Sequence, residues 1–220
     1  MLFDWAFTLE ILPLLARAAI VTVEATLLGF ALAAPFGLLL AILRMVPGPY
    51  VAPAVMAFVE FIRSTPLLIQ IFYLYFVILP ALDMTPSAFA AGVFALGIHY
   101  GTYCSEVYRA GLENIPRGQW EASIALNLST YRTFRDVILP QALPPVVPAL
   151  GNYLVALFKE TPLLAAISAL ELMSVAKSIG SDTFRYNEPI TLVGLFFLAM
   201  SLISAALIRF VEYRLNARYR

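Results

Sequence analysis

Long apolar runs separated by short polar stretches set the pattern of this chain. Charge-free runs cover residues 25–43, 64–82, 84–105, 137–158 and 189–208. Runs of about 20 apolar residues cross a hydrocarbon core as helices. The run 137–158 contains Pro140, Pro144, Pro145 and Pro148, so its helix is expected to start late and to continue through Lys159 and Glu160 to about Leu170. Five spans follow, near 16–43, 54–80, 86–110, 143–169 and 189–212. The second begins before Ser64 because 55–61 is mostly apolar. The opening Met1-Leu2-Phe3-Asp4-Trp5 lacks the basic start of a secretory signal. It reads as a short amphipathic helix on the membrane surface, with Asp4 and Glu10 toward water.

Orientation follows from the arginines and lysines. One side holds Arg44, Arg109, Arg117, Arg132, Arg135, Arg209, Arg214, Arg218 and Arg220, and the other holds Arg17, Lys177 and Arg185. The first side is expected to be cytoplasmic. The N-terminus is then outside and the C-terminus inside, as an odd number of spans requires. Two loops are long: 111–140 inside, and 171–188 outside.

Composition fits this picture. Of the 220 residues, 61% are hydrophobic and 13% charged, against roughly 25% charged in soluble chains. Lys plus Arg and Asp plus Glu balance at 14 each, so nothing marks a nucleic-acid partner. One cysteine, Cys104, and one histidine, His99, exclude an intrachain disulfide and a multi-histidine metal centre. No residue set suggests an enzyme. Neither Lys159 nor Lys177 follows a glycine, so a phosphate-binding loop is missing too.

Residues 111–140 carry the most informative stretch. An amphipathic helix is expected over 119–126, with Trp120 and Glu121 at its front. Asn127 fits the left-handed residue after the helix. Ser129 fits the N-cap of a second helix over 130–138, and Pro140 a helix breaker.

Two later spans share a hexapeptide, Arg63-Ser-Thr-Pro-Leu-Leu68 and Lys159-Glu-Thr-Pro-Leu-Leu164. Each proline frees the carbonyl four residues back, at Ile62 and Phe158, and pushes Thr65 or Thr161 off helical geometry. Pro66 and Pro162 are thus expected to break or kink their helices beside a buried cation. Transporters place solute sites at such breaks. A charge at this depth costs about 2.5–3.5 kcal/mol. It needs a partner, water or the solute. Glu60 can pair with Arg63 along one helix, whereas Lys159 and Glu160 point to different faces. Two roles stand open for Arg63, Thr65, Pro66, Lys159, Glu160 and Thr161: contact with a zwitterionic solute, or salt bridges that fix the fold. His99, Tyr100 and Tyr103 read as packing, Glu106 and Arg109 as a local ion pair, and Gly92, Gly97 and Gly101 as a helix seam.

From Glu121 to Pro140 the chain resembles the coupling segment of ATP-binding-cassette import permeases, Glu-Ala-Ala, three residues, Gly, nine residues, Ile-x-Leu-Pro. Here Glu121, Ala122, Leu139 and Pro140 match, while Ser123, Asn127 and Val137 depart mildly. Flanking text, with Gly118 and Trp120 in Ile115-Pro-Arg-Gly-Gln-Trp-Glu121 and with Glu60-Phe-Ile-Arg-Ser-Thr-Pro66, is similar to the polar amino acid branch, the histidine/glutamine type. The likeness covers about 17–212. It implies one transmembrane permease domain over 1–220 in a bacterial inner membrane, all-α and of the type I importer kind. It also implies two ATPase subunits carrying ATP and Mg, a second permease subunit, identical or homologous, and an extracytoplasmic solute-binding protein. The segment 177–194 looks like ectoine/hydroxyectoine permease subunits. The competing reading is a secondary transporter or channel subunit, which leaves the coupling motif unexplained.

Overall fold

The computed structural model describes residues 3–218, and every regular element in it is helical. Met1, Leu2, Tyr219 and Arg220 lie outside the described residues, one of the arginines used for orientation among them. Helix α1 is Trp5–Leu43. Helices α2, Val51–Arg63, and α3, Leu67–Ala81, meet at a bend of 103°. Then come α4, Ala88–Glu113, α5, Arg117–Ala125, and the continuous run α6, Thr130–Ile167. Helices α7, Leu172–Thr183, and α8, Asn187–Arg218, complete the chain.

Among the described residues α1, α6 and α8 are long and apolar enough to cross a membrane, and α2 with α3 makes a fourth as one broken span. Helix α4 is not among them, although its 26 residues reach about 39 Å at 1.5 Å per residue. The reason is its position. It is the central helix and buries Thr102, Ser105, His99 and Tyr100 against its neighbours instead of lipid. Its longest interface is with α1. A Cβ on Gly37 would lie 2.6 Å from the Gly101 carbonyl oxygen and from the Cys104 Cβ. Gly97 and Gly101 face Leu32 and Phe36 of α1, and Gly92 faces Leu164. The expected glycine seam is present, and small residues bring the backbones together.

The N-terminal segment differs from expectation. It is not a separate surface helix but the first turns of α1, which runs unbroken through Pro13 and Pro35. Ile11, Leu15 and Ala18 pack there on Leu172 and Ala176 of α7 and Val193 of α8, so tertiary burial holds the segment helical. Asp4 caps α1 by accepting from the Ala6 and Phe7 amides. Its other carboxylate oxygen accepts from Arg185 at 3.0 Å. The Phe7 amide and then Arg185 hold its carboxyl below the usual range. The Asp4 amide donates to Glu188, which ties the N-terminal ends of α1 and α8.

The loop 171–188, expected outside, is mostly the helix α7. Its N-cap is Glu171, fully buried, which accepts from the Met173 and Ser174 amides at 2.8 and 2.7 Å. Burial raises the Glu171 carboxyl pKa against the lowering effect of those amides.

Helix α6 overturns three expectations. It does not start late, and Pro140 does not break it. Pro140 falls in the first turn of the α-helical part, and Pro144, Pro145 and Pro148 lie inside it. A π-helical stretch, Thr133–Ile138, shifts the hydrogen-bond register just ahead of Pro140. Val146 then seats on Gly111 of α4, where a Cβ would meet it at 2.2 Å. Packing overrides the local preference. Finally, Thr161 keeps helical angles, φ −55° and ψ −30°. The chain tightens into a 3₁₀ stretch, Thr161–Ile167, and stops at left-handed Ser168.

Candidate functional site

Two places collect the residues singled out by sequence. The first is α5 and the start of α6. The Leu128 amide donates to the Ser123 carbonyl at 3.0 Å and the Asn127 amide to the Ile124 carbonyl at 2.8 Å. With Asn127 at φ 51°, these bonds form a complete Schellman stop. Ser129 caps the next helix by accepting from the Arg132 amide. Ser123 is buried and donates to the Gln119 carbonyl. Trp120 does not stand at the front with Glu121 but turns inward onto Phe134, in a cluster with Ile115, Ile138 and Leu112. Gly118 has open space around it.

Among the described residues nothing covers the opposite face. Glu121, Ala122 and Asn127 are exposed, and Ile124, Leu126 and Tyr131 are 76%, 73% and 69% exposed. The unit therefore has one face fixed to the helices and one acidic-apolar face free for a partner. Nearby, Glu106 of α4 pairs with Arg44, the C-cap of α1, and with Arg109 at 2.7 Å, and Arg109 reaches Glu113 at 2.7 Å. The expected local pair is thus part of a four-charge chain that joins α1 to α4.

The second place is the interior around the two Thr-Pro sequences. Ile62 and Phe158, the carbonyls expected to be freed, both find donors. The Thr161 hydroxyl donates to the Phe158 carbonyl at 2.8 Å. At the α2–α3 elbow the Gln70 amide nitrogen lies 2.6 Å from the Ile62 carbonyl, 3.0 Å from the Thr65 carbonyl and 2.7 Å from the Thr65 hydroxyl. Its amide oxygen lies 3.0 Å from His99 Nδ1. With the amide nitrogen donating, this network assigns the imidazole proton to Nδ1. A cavity of about 370 Å³ opens at the elbow, lined by Thr65 and Gln70 among apolar side chains.

Arg63 does not pair with Glu60, which instead accepts from Ser64 at 3.4 Å. Its guanidinium stands 5.0 Å from the Tyr103 ring centroid, a cation–π contact. Tyr103 touches His99 and Tyr153 at centroid distances of 5.2 and 5.4 Å. Glu160 lies beside the Tyr100 hydroxyl. Its Oε2 is, among the described residues, the one buried side-chain polar atom without a hydrogen-bond partner. Lys159 is exposed and takes part in no salt bridge among the described residues. The structure thus gathers Arg63, Tyr100, Tyr103, Tyr153 and Glu160 around α4, and it leaves Lys159 on another face. Sequence reading missed Gln70 and Tyr153. A carboxamide four residues past Pro66 in an apolar run was the available signal for Gln70. Tyr153 carried none.

Residues 33–217 match the family described as binding-protein-dependent transport system inner membrane component. A probable amino-acid ABC transporter permease protein of Sinorhizobium fredii is 44% identical over 98% of this chain and 93% of its own length. The glutamine transport system permease protein of Escherichia coli is 34% identical over 98% and 99%. A chain from the crystal structure of an amino acid ABC transporter with histidines superposes with a TM-score of 0.91, at 32% identity, over 97% of this chain and all of that one.

Proposed function

Because the chain belongs to the family of binding-protein-dependent transport system inner membrane components, we propose that it carries a polar amino acid or an amino-acid-like compatible solute inward. It is a membrane permease subunit and not an enzyme. Energy comes from two partner ATPase subunits that hold ATP and Mg. A second permease subunit completes the path, and an extracytoplasmic solute-binding protein delivers the solute. The likeness of 177–194 to ectoine/hydroxyectoine permeases makes these solutes the first to test, beside glutamine and histidine.

One observation carries this reading. The α5 unit is stopped by Asn127, pinned through Trp120, and presents Glu121, Ile124 and Leu126 outward. A rigid lever with an uncovered acidic-apolar face suits docking on an ATPase. Counting α4 as a fifth crossing beside the four candidate spans puts α5 in the cytoplasm and the N-terminus outside in this reading, which the arginine asymmetry supports. The Arg63–Tyr103 contact and the orphan oxygen of Glu160 offer a cation and an anion acceptor to a zwitterion. The test is uptake of labelled solutes into vesicles holding the permease, its ATPase and its binding protein. ATP-dependent accumulation supports the proposal. Uptake that follows an ion gradient and ignores ATP refutes it.

A further inference from the structure

Gln70 occupies a position that the transport reading leaves without a role. It lies at the start of α3, beyond the proline break, yet its amide nitrogen reaches back to the Ile62 and Thr65 carbonyls on the other side. Its amide oxygen reaches across to His99 on α4. One side chain therefore links all three helices at the elbow. A Thr-Pro break leaves two soft backbone dihedrals at Ser64 and Thr65, and nothing in the proline itself fixes the angle between α2 and α3. The Thr65 hydroxyl spends its donor on the Phe61 and Ile62 carbonyls within α2. Toward α3 it only accepts from the Gln70 amide, so the contact that sets the direction of α3 runs through Gln70.

We propose that Gln70 is the positioning residue of the elbow, holding α2 against α4 so that Arg63 stays over Tyr103. Arg63 is the last residue of α2, one residue from the Ile62 carbonyl that Gln70 grips. Tyr103 lies one helical turn from His99, which Gln70 also grips, and the two rings touch at 5.2 Å. Both ends of the cation–π contact are thus set by one carboxamide. Gln70 acts on transport through Arg63 and not through contact with solute.

The inference rests on Arg63 serving the solute path, and a double-mutant cycle separates the two ideas. Gln70→Met, Arg63→Met and the double variant are co-expressed with the ATPase and assayed for complex yield, basal ATPase and half-saturating solute concentration. Each single change is expected to raise half-saturation about tenfold, the loss typical of one polar interaction. The double variant is expected to be no worse than the worse single, with yield and basal ATPase kept. Neutral Gln70→Met, or effects that multiply to about a hundredfold, overturns the inference alone. Neutral Arg63→Met removes the path reading and this inference with it. Where Gln70→Met does not assemble, Gln70→Asn takes its place. That variant keeps the amide but is one methylene too short to hold both grips. Loss of assembly in both variants makes Gln70 a folding residue only and refutes the proposal.

Discussion

Trp120 and Phe134 meet edge to face, with ring centroids 5.4 Å apart and planes at 78°. Trp120 stands on α5 and Phe134 in the π-helical stretch of α6, so this contact joins the exposed lever to a membrane helix. Such pairs contribute about 0.5–1.5 kcal/mol beyond their buried area. Trp120→Ala is expected to loosen α5 without unfolding the bundle. Trypsin should cut faster near Arg117 and Arg132, and ATP hydrolysis should continue with reduced uptake. Unchanged proteolysis would show that Ile115 and Ile138 suffice.

Asn127 at φ 51° is the stop of α5. Asn127→Gly removes the left-handed cost and should leave uptake at or above the native level. Asn127→Val places a branched side chain in that conformation, at about 1–2 kcal/mol. Uptake should fall while the complex still forms. Equal uptake in both variants would remove the turn from the coupling argument.

Arg63→Met and Lys159→Met each remove a cation beside a Thr-Pro sequence. Neither side chain has an acidic partner among the described residues. If these charges serve the solute, Lys159→Met should abolish uptake and Arg63→Met should raise the half-saturating solute concentration about tenfold, each with assembly kept. Failure of the variants to assemble, seen by size-exclusion chromatography, would assign them to structure.

Gly37 and Gly194 form a matched pair of tests. A Cβ on Gly37 meets α4 backbone at 2.6 Å, while one on Gly194 meets nothing within 4 Å. Gly37→Ala should destabilise by about 1–3 kcal/mol, the usual cost of overpacking. Gly194→Ala should be neutral. Thermal unfolding in detergent compares them, and equal midpoints would contradict the α1–α4 packing described.

Asp4 has a lowered carboxyl pKa from the Phe7 amide and Arg185. A depressed folded pKa contributes stability that is present above the unfolded value and lost as pH falls through the folded one. The N-terminal ends of α1 and α8 should therefore lose protection against amide hydrogen exchange, measured relative to the intrinsic rate at each pH, in acid below about pH 4. Asp4→Asn should show that reduced protection already at neutral pH and respond less to acid.

The turn between α5 and α6 was legible in sequence because its signals are local. Asn127, Ser129 and the spacing to Pro140 report on turns a few residues long. The break at Pro66 was legible for the same reason. Misreadings arose where distant packing decides. Pro140, Pro144, Pro145 and Pro148 look like breakers, yet α6 runs through them because Val146 must seat on Gly111. Glu60 sits at the right spacing for Arg63, but a tyrosine from α4 takes the cation instead. Helix α4 was legible as a span from its charge-free run 84–105, although its buried polar residues keep the full helix out of the apolar class.

The docking face of α5 bears the central claim, and Glu121→Lys reverses the charge at its exposed front without touching the Trp120 cluster. The measurement is affinity purification from native membranes in mild detergent, wild type beside Glu121→Lys, with ATPase activity and labelled-solute uptake followed. An ATPase that accompanies the wild type, and is lost or no longer drives uptake in the variant, is the expected result. A wild-type preparation without any ATPase, under conditions that keep other membrane complexes whole, would contradict it.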